Sequence, residues 1–271
     1  LNNFLLIELD LYKLREIVGI LILIFGFFFL GLYDDKYNLS PTKKLFFSLI
    51  LILIAISLNQ ILKIQYLNTS FYTNTIFLEN FSTIFTIFCF IILVNSLNFY
   101  DGINGQSCLF FIIAFTFLYI ISGKNEFYLF NIFFLLAILL LNLKNKLFFG
   151  DGGIFFLSTI ISVSFIYEYN VEKNIKFVEE IFFLLLLPGF DLVRLTFIRV
   201  FNGKNAFIGD REHLHHLINN KLSLTLTNLV LVFSILTPVI LFSFLDIGFY
   251  YVFLIFIFIY ISLILTFKSN D

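Results

Sequence analysis

The 271-residue chain holds three histidines, and all three fall between 213 and 216, in Asp210-Arg211-Glu212-His213-Leu214-His215-His216. A guanidinium beside imidazoles offers forked and titratable donors, which suit phosphate oxygens. Zinc is the competing chemistry, but the sequence has no His-Glu-x-x-His helix and no Cys set near the cluster. A solvated basic loop is the plain alternative.

Three other polar clusters interrupt a hydrophobic chain. Asp34-Asp35 closes the first apolar run. A helix C-terminus carries partial negative charge, so two carboxylates there need an offset. Lys36, Lys43 and Lys44 are near in sequence, and a bound cation would do the same; an ion-paired span end is the plain reading. Adjacent helical residues point about 100° apart, so one Asp faces a given ligand. The second cluster runs from Asn95 to Gly105. Asn95 and Asn98 lie one turn apart on one helix face, and amides buried there need partners. Asp101-Gly102 and Asn104-Gly105 are turn formers that let backbone approach a ligand, or make an ordinary turn. The third, Phe148-Phe149-Gly150-Asp151-Gly152-Gly153, leads into a span. Asp151 there reads as a helix N-cap, or as a carboxylate beside free backbone N–H groups, which suits Mg²⁺ with phosphate.

The elements that must position these residues are membrane helices. The chain is 60% hydrophobic and 13% charged, with mean hydropathy +1.00, which excludes an ordinary soluble domain. Apolar runs of about 20 residues recur, each long enough to cross a hydrocarbon core of about 30 Å. The expected fold is an all-α polytopic membrane helix bundle of about nine spans, near 16–33, 45–62, 81–98, 108–122, 127–143, 153–169, 179–196, 226–245 and 249–267. One membrane domain covers 1–271. Segment 64–80 alternates Thr and Tyr and reads as a short hairpin, and 170–180 as a solvated loop. Cys89 and Cys108 suggest neither a disulfide framework nor a metal cluster. The chain begins with Leu1 and has no Met, which points to a start codon read literally or to a longer natural N-terminus. It shows no signal-peptide pattern.

Alternating the loops puts Lys36, Lys43, Lys44, Lys144, Lys146, Arg199, Lys204, Arg211, Lys221 and Lys268 on one side. The other side holds Lys13, Arg15, Lys63, Lys124, Lys173 and Lys176. The excess marks the first side as cytoplasmic, and all four polar clusters fall on it. A secondary transporter would place its charged residues near the midplane. Polar clusters at one face instead favour an enzyme acting on a cytosolic substrate and a membrane lipid.

In order, the four clusters resemble the polyprenyl-phosphate N-acetylhexosamine-1-phosphate transferase family. Asp34-Asp35-Lys36 with Lys44-Leu45 is similar to its Asp-Asp motif and following Lys-Leu. Asn95-x-x-Asn98-x-x-Asp101-Gly102 is similar to its Asn-x-x-Asn-x-x-Asp-Gly. Phe148-Phe149-Gly150-Asp151 resembles Phe-Met-Gly-Asp, with Phe149 where Met is usual. Asp210-Arg211-x-His213-Leu214-His215-His216 is similar to its Asp-Arg-x-His-(Ile/Leu)-His-His signature, in the form of the UDP-N-acetylglucosamine branch. The resemblance covers about 16–267. It implies transfer of N-acetylhexosamine 1-phosphate from a UDP-N-acetylhexosamine, UDP-N-acetylglucosamine first, to undecaprenyl phosphate, with release of UMP, at the bacterial inner membrane. The expected cofactor is Mg²⁺, with Mn²⁺ as substitute, on Asp151 and Asn98. Asp34 or Asp35 would deprotonate or orient the acceptor phosphate, and Lys44 would neutralise its charge. Asp101 and Asn104 would lie at the uridine or sugar side. Phe148 joins the substrate-binding set, and Arg211, His213, His215 and His216 would clasp sugar and diphosphate. Nucleic acid is not an expected partner; a homodimer is the candidate assembly. Relatives carry about two further N-terminal spans joined by a basic loop, and this chain starts at what resembles the third. The alternative readings are a shortened, inactive member acting as a membrane scaffold, or a secondary transporter.

Overall fold

The computed structural model describes residues 2–203 and 212–268, with side chains described from Lys13 onward. Its helices are α1 (Asn2–Tyr37), α2 (Pro41–Leu58), α3 (Ser82–Tyr100), α4 (Gln106–Ile121), α5 (Glu126–Asn142), α6 (Gly150–Asn170), α7 (Val178–Phe201), α8 (Leu214–Asn219), α9 (Leu224–Ser243) and α10 (Phe249–Phe267). The fold is an all-α, polytopic membrane bundle. Among the described residues, seven helices are long and apolar enough to cross a membrane. The other two expected spans are α4 and α5, of 16 and 17 residues. At 1.5 Å per residue they reach about 25 Å, a little short of the hydrocarbon thickness. The short α8 lies in a stretch expected to be loop. The hairpin in 64–80 forms, as β1 (Tyr66–Thr69) and β2 (Tyr72–Phe77).

Local chemistry sets the helix ends. Ser40-Pro41 opens α2, where the missing proline N–H costs no helical bond. Asn125 caps α5 by accepting from Phe127 N, and Ser223 caps α9 from Leu226 N. Pro188 and Pro238 sit inside α7 and α9 without ending them, as transmembrane helices tolerate.

Contacts divide the chain into two compact units. The first comprises residues 1–67, 76–94 and 149–174, hence α1, α2, α6 and most of α3. Leu23, Phe27, Ile52, Ala55, Phe90 and Phe155 form its core. At the α1–α6 crossing a Cβ on Gly31 would sit 2.5 Å from the Asp151 carbonyl oxygen, so only glycine permits this approach. The second unit comprises 68–75, 95–148 and 175–271, with Phe110, Phe111, Phe115 and Phe183 wholly buried. Its outward faces carry large apolar side chains such as Phe130, Phe233 and Phe258, which suits contact with lipid.

The expectation of a solvated loop over 170–180 is corrected in part. Glu179 and Glu180 are buried. Glu179 accepts from the Ser70 backbone N and hydroxyl, and Glu180 reaches back to Lys176 N and Phe177 N, satisfying donors at the start of α7.

Candidate functional site

The first unit gathers three carboxylates and one lysine. Asp34 lies in the last turn of α1, and its Oδ1 accepts from Leu39 N at 2.7 Å, which folds the chain back toward α2. Lys44, in the first turns of α2, forms an ion pair with Asp34 and donates to Asp151 Oδ2 at 3.1 Å. Asp34 is almost wholly buried, whereas Lys44 and Asp151 keep about a quarter of their side-chain surface, 25% and 28%. Lys44 and Asp151 thus stay partly accessible while Asp34 does not.

Asp34 and Asp35 have separate tasks, as their 100° offset requires. Asp35 Oδ1 accepts from Asp151 N at 2.8 Å, and Oδ2 accepts from Gly152 N at 3.0 Å. It thus caps α6 from another helix, where a carboxylate meets both free N–H groups and the positive helix end. Asp35 holds the backbone of Asp151, and Lys44 holds its side chain. The N-cap reading of Asp151 itself fails: Phe149 occupies that position, and Asp151 is in the first turn. Its carboxylate stays partly open. Three carboxylates against one ammonium leave excess negative charge, and carboxylate oxygens are hard donors that fit Mg²⁺.

The second unit holds the histidines. His213 and His215 are buried, and His216 is half-buried beside His215 at 4.3 Å between ring centroids. The His213 ring stacks on Phe99 at 5.9 Å and on His215 at 5.4 Å. Asp191, buried in α7, fixes it: Oδ2 accepts from His213 Nδ1 at 2.8 Å and from Leu214 N at 3.2 Å. Its Oδ1 accepts from Tyr260 OH and Arg194 Nη2, each at 2.8 Å. Arg194 also binds the Tyr260 hydroxyl and the Glu212 carbonyl, both at 2.7 Å. Asp191, His213 and His215 each present a ligand atom within 4.8 Å of the others. The geometry argues against a metal there, because donors already occupy both Asp191 oxygens and the two rings stack 13° from parallel instead of converging.

The Asn95–Gly105 stretch builds one wall of this unit. Gly102 touches His215: a Cβ there would lie 1.8 Å from Nε2. Desolvation, with smaller contributions from His216 and His213, lowers the His215 pKa to about 3, so this ring is neutral at physiological pH. Desolvation raises the Asp101 pKa above the usual carboxylate range, partly offset by the Ser107 hydroxyl. The Asn104 side chain is spent on Asn145, and its carbonyl accepts from Asn228 Nδ2 at 2.8 Å. Asn142 Oδ1 accepts from Gly105 N at 2.5 Å. Asn98 is half-buried and Phe148 exposed. Asp210 and Arg211 lie outside the described residues.

The structure therefore groups the expected residues in two sets. Asp34, Asp35, Lys44 and Asp151 meet in the first unit; Asn98, Asp101, Asn104, Phe148 and the histidines belong to the second. Sequence reasoning missed Asp191, Arg194, Tyr260 and the amides of Asn142, Asn145 and Asn228. A signal existed for the first two: an acid and a base spaced i, i+3 inside an apolar helix are expensive unless they serve a site.

Comparison with known proteins adds to this geometry. Residues 17–168, more than half of the chain, match the model of glycosyl transferase family 4. The chain is 27% identical over 208 residues to an undecaprenyl-phosphate alpha-N-acetylglucosaminyl 1-phosphate transferase of Yersinia pestis, covering 70% of this chain and 55% of that protein. It is 27% identical over 215 residues to the Thermotoga maritima protein of the same name, covering 76% and 62%. A probable undecaprenyl-phosphate N-acetylglucosaminyl 1-phosphate transferase of Bacillus subtilis is 24% identical over 196 residues, covering 69% and 54%. The chain thus spans little more than half the length of these curated relatives.

Proposed function

The chain belongs to glycosyl transferase family 4, and we propose that it transfers a sugar 1-phosphate from a UDP-sugar to a polyprenyl phosphate, releasing UMP. The donor we propose is UDP-N-acetylglucosamine and the acceptor undecaprenyl phosphate, following the names of the relatives. The product would start a lipid-linked cell-surface glycan. The observation that carries the reading is the Asp34–Lys44–Asp151 arrangement, with Asp35 pinning the backbone of Asp151.

The transfer needs a phosphate oxygen of the acceptor to attack the β-phosphorus while negative charge builds on the leaving phosphate. Lys44 is the cation at hand, and Asp34 holds it in place. A phosphate monoester with second pKa near 6 is largely ionised at neutral pH, so Asp34 acts chiefly by positioning. Asp151 is the residue that would hold Mg²⁺, which supplies neutralisation of the diphosphate charge when bound. In the second unit His213, His215 and His216 offer ring nitrogens to the donor. Neutral His215 interacts as a hydrogen-bonding partner and not as a cation.

The Lys and Arg asymmetry of the loops supports a cytoplasmic location for the catalytic residues, in the bacterial inner membrane. Cysteine introduced at Asn219 in a Cys-free background then reacts with an impermeant reagent only after permeabilisation; labelling in intact cells would invert the topology. The activity itself is tested with the full chain in detergent, UDP-N-acetylglucosamine, undecaprenyl phosphate and Mg²⁺. Release of UMP with formation of a lipid diphosphate sugar is expected. Absence of UMP across UDP-N-acetylhexosamines, with folded protein, contradicts the proposal.

A further inference from the structure

His213 has one ring nitrogen accounted for and one not. Nδ1 meets Asp191 Oδ2 at 2.8 Å. Nε2 is buried and, among the described residues, has no hydrogen-bond partner. An imidazole nitrogen buried without a partner costs free energy on the order of 1–3 kcal/mol, so its persistence calls for a ligand. Stacking between Phe99 and His215 prevents the ring from turning aside.

The charge state of Asp191 decides which nitrogen carries the fixed proton. Arg194, Tyr260 and Leu214 N all donate to its carboxylate. A carboxylate surrounded by donors is ionised and accepts from His213 as well, so Nδ1 carries a proton whether the ring is neutral or cationic. Nε2 is then left to meet a ligand as an acceptor.

We propose that Asp191 is a positioning residue that acts through His213: it holds Nδ1–H and so presents Nε2 as an acceptor to a hydroxyl or amide N–H of the nucleotide-sugar donor. This rests on the transferase reading for the identity of the ligand, not for the ring geometry. The arrangement has the logic of carboxylate–histidine pairs in which the acid selects the tautomer and the far nitrogen does the work.

Asp191→Asn separates tautomer control from shape. The amide oxygen must stay on Arg194 and Tyr260, because an NH₂ group there would face a guanidinium. The NH₂ then turns to His213, Nδ1 becomes the acceptor, and the proton moves to Nε2.

With three histidines in the chain, selective ¹⁵N-histidine labelling of the full protein in nanodiscs yields three ring spin systems. For wild type we expect a His213 ring with a protonated Nδ1, whose Nε2 resonance shifts on adding UDP-N-acetylglucosamine. Asp191→Asn should move the proton to Nε2, abolish that shift and lower kcat/KM by about 5- to 150-fold, the cost of leaving a buried donor of the substrate without its acceptor. Tyr260→Phe removes another donor from the same carboxylate and should keep the Nδ1 proton and the ligand-induced Nε2 shift. A wild-type ring with unprotonated Nδ1 overturns the proposal even if Asp191→Asn does not fold. So does a switched ring in Asp191→Asn with unchanged kcat/KM. Wild type that releases no UMP but shows the Asp191-dependent Nε2 shift supports this proposal and overturns only the transferase reading.

Discussion

The two polar clusters are built in opposite senses. In the first unit Asp34, Asp35 and Asp151 crowd around one ammonium, and only Asp35 is fully engaged by backbone N–H groups. In the second, the buried carboxylate of Asp191 is surrounded by a guanidinium, a phenol, a backbone N–H and an imidazole. The first keeps surplus acceptors and suits a cation. The second has its acid fully used and presents a ring nitrogen without a partner among the described residues, which suits a hydrogen-bond donor of a ligand.

The largest expected effect breaks the first cluster. Asp151→Asn keeps the backbone N–H that Asp35 binds, so α6 should retain its cap and the protein its fold. Removing a carboxylate from the proposed metal should lower transfer by on the order of 1,000-fold, equivalent to about 4 kcal/mol of transition-state stabilisation. Initial rates of UMP release at saturating Mg²⁺ give the number; activity within tenfold of wild type would remove Asp151 from the site.

Next comes a steric break in the second cluster. Gly102→Ala places a methyl where the His215 ring lies. The ring must move, His213 loses one stacking partner, and KM for the UDP-sugar should rise roughly 10-fold or more, as a loss of about 1.4 kcal/mol predicts. Mg²⁺ dependence should not change. A wild-type KM would show that the ring position is not used by the donor.

Asp35→Asn sharpens the contrast within the first cluster, because its loss is one of stability. An amide presents one acceptor where the carboxylate met two backbone donors, and it lacks the charge that complements the helix end. Unfolding in a thermal scan should come earlier by an amount matching about 1–2 kcal/mol, in line with a lost cap. If Tm is unchanged and turnover collapses, Asp35 is a reacting group and not a cap.

The smallest effect is a pH dependence. Folding depresses the His215 pKa from 6.5 to about 3. The unfolded chain therefore binds more protons between those values, and the stability from neutral burial of His215 is lost as pH falls from about 6.5 toward 3. His216, His213 and Asp191 face this ring, and Asp191 opposes the shift. Relative to wild type, His215→Gln should lose less Tm between pH 7 and pH 5. Equal slopes would show that His215 titrates near its ordinary value.

Much of this arrangement was legible from residue types. Apolar runs of about 20 residues anticipate nine of the helices among the described residues, with α4 and α5 shorter than the rest, and Thr and Tyr alternation marks the hairpin at Tyr66–Phe77. Spacing also indicates that only one of Asp34 and Asp35 faces a given ligand. It could not say which Asp caps α6, because that depends on how α1 docks against Gly152 and Asp151, through Gly31. Asp191 was hidden for a different reason. Its partners come from positions 194, 213, 214 and 260, and nothing local links Tyr260 to the histidines. Glu179 misled in the same way, since Ser70, 109 positions away, turns a loop-like acid into a buried acceptor.

The division of labour between the clusters is tested most directly by Mn²⁺ binding, followed as loss of the free-ion EPR signal with the full chain in detergent. Wild type and His213→Ala should bind Mn²⁺ with similar affinity, while Asp151→Asn should lose the site. Binding that survives Asp151→Asn and disappears in His213→Ala would place the cation among the histidines and contradict the account.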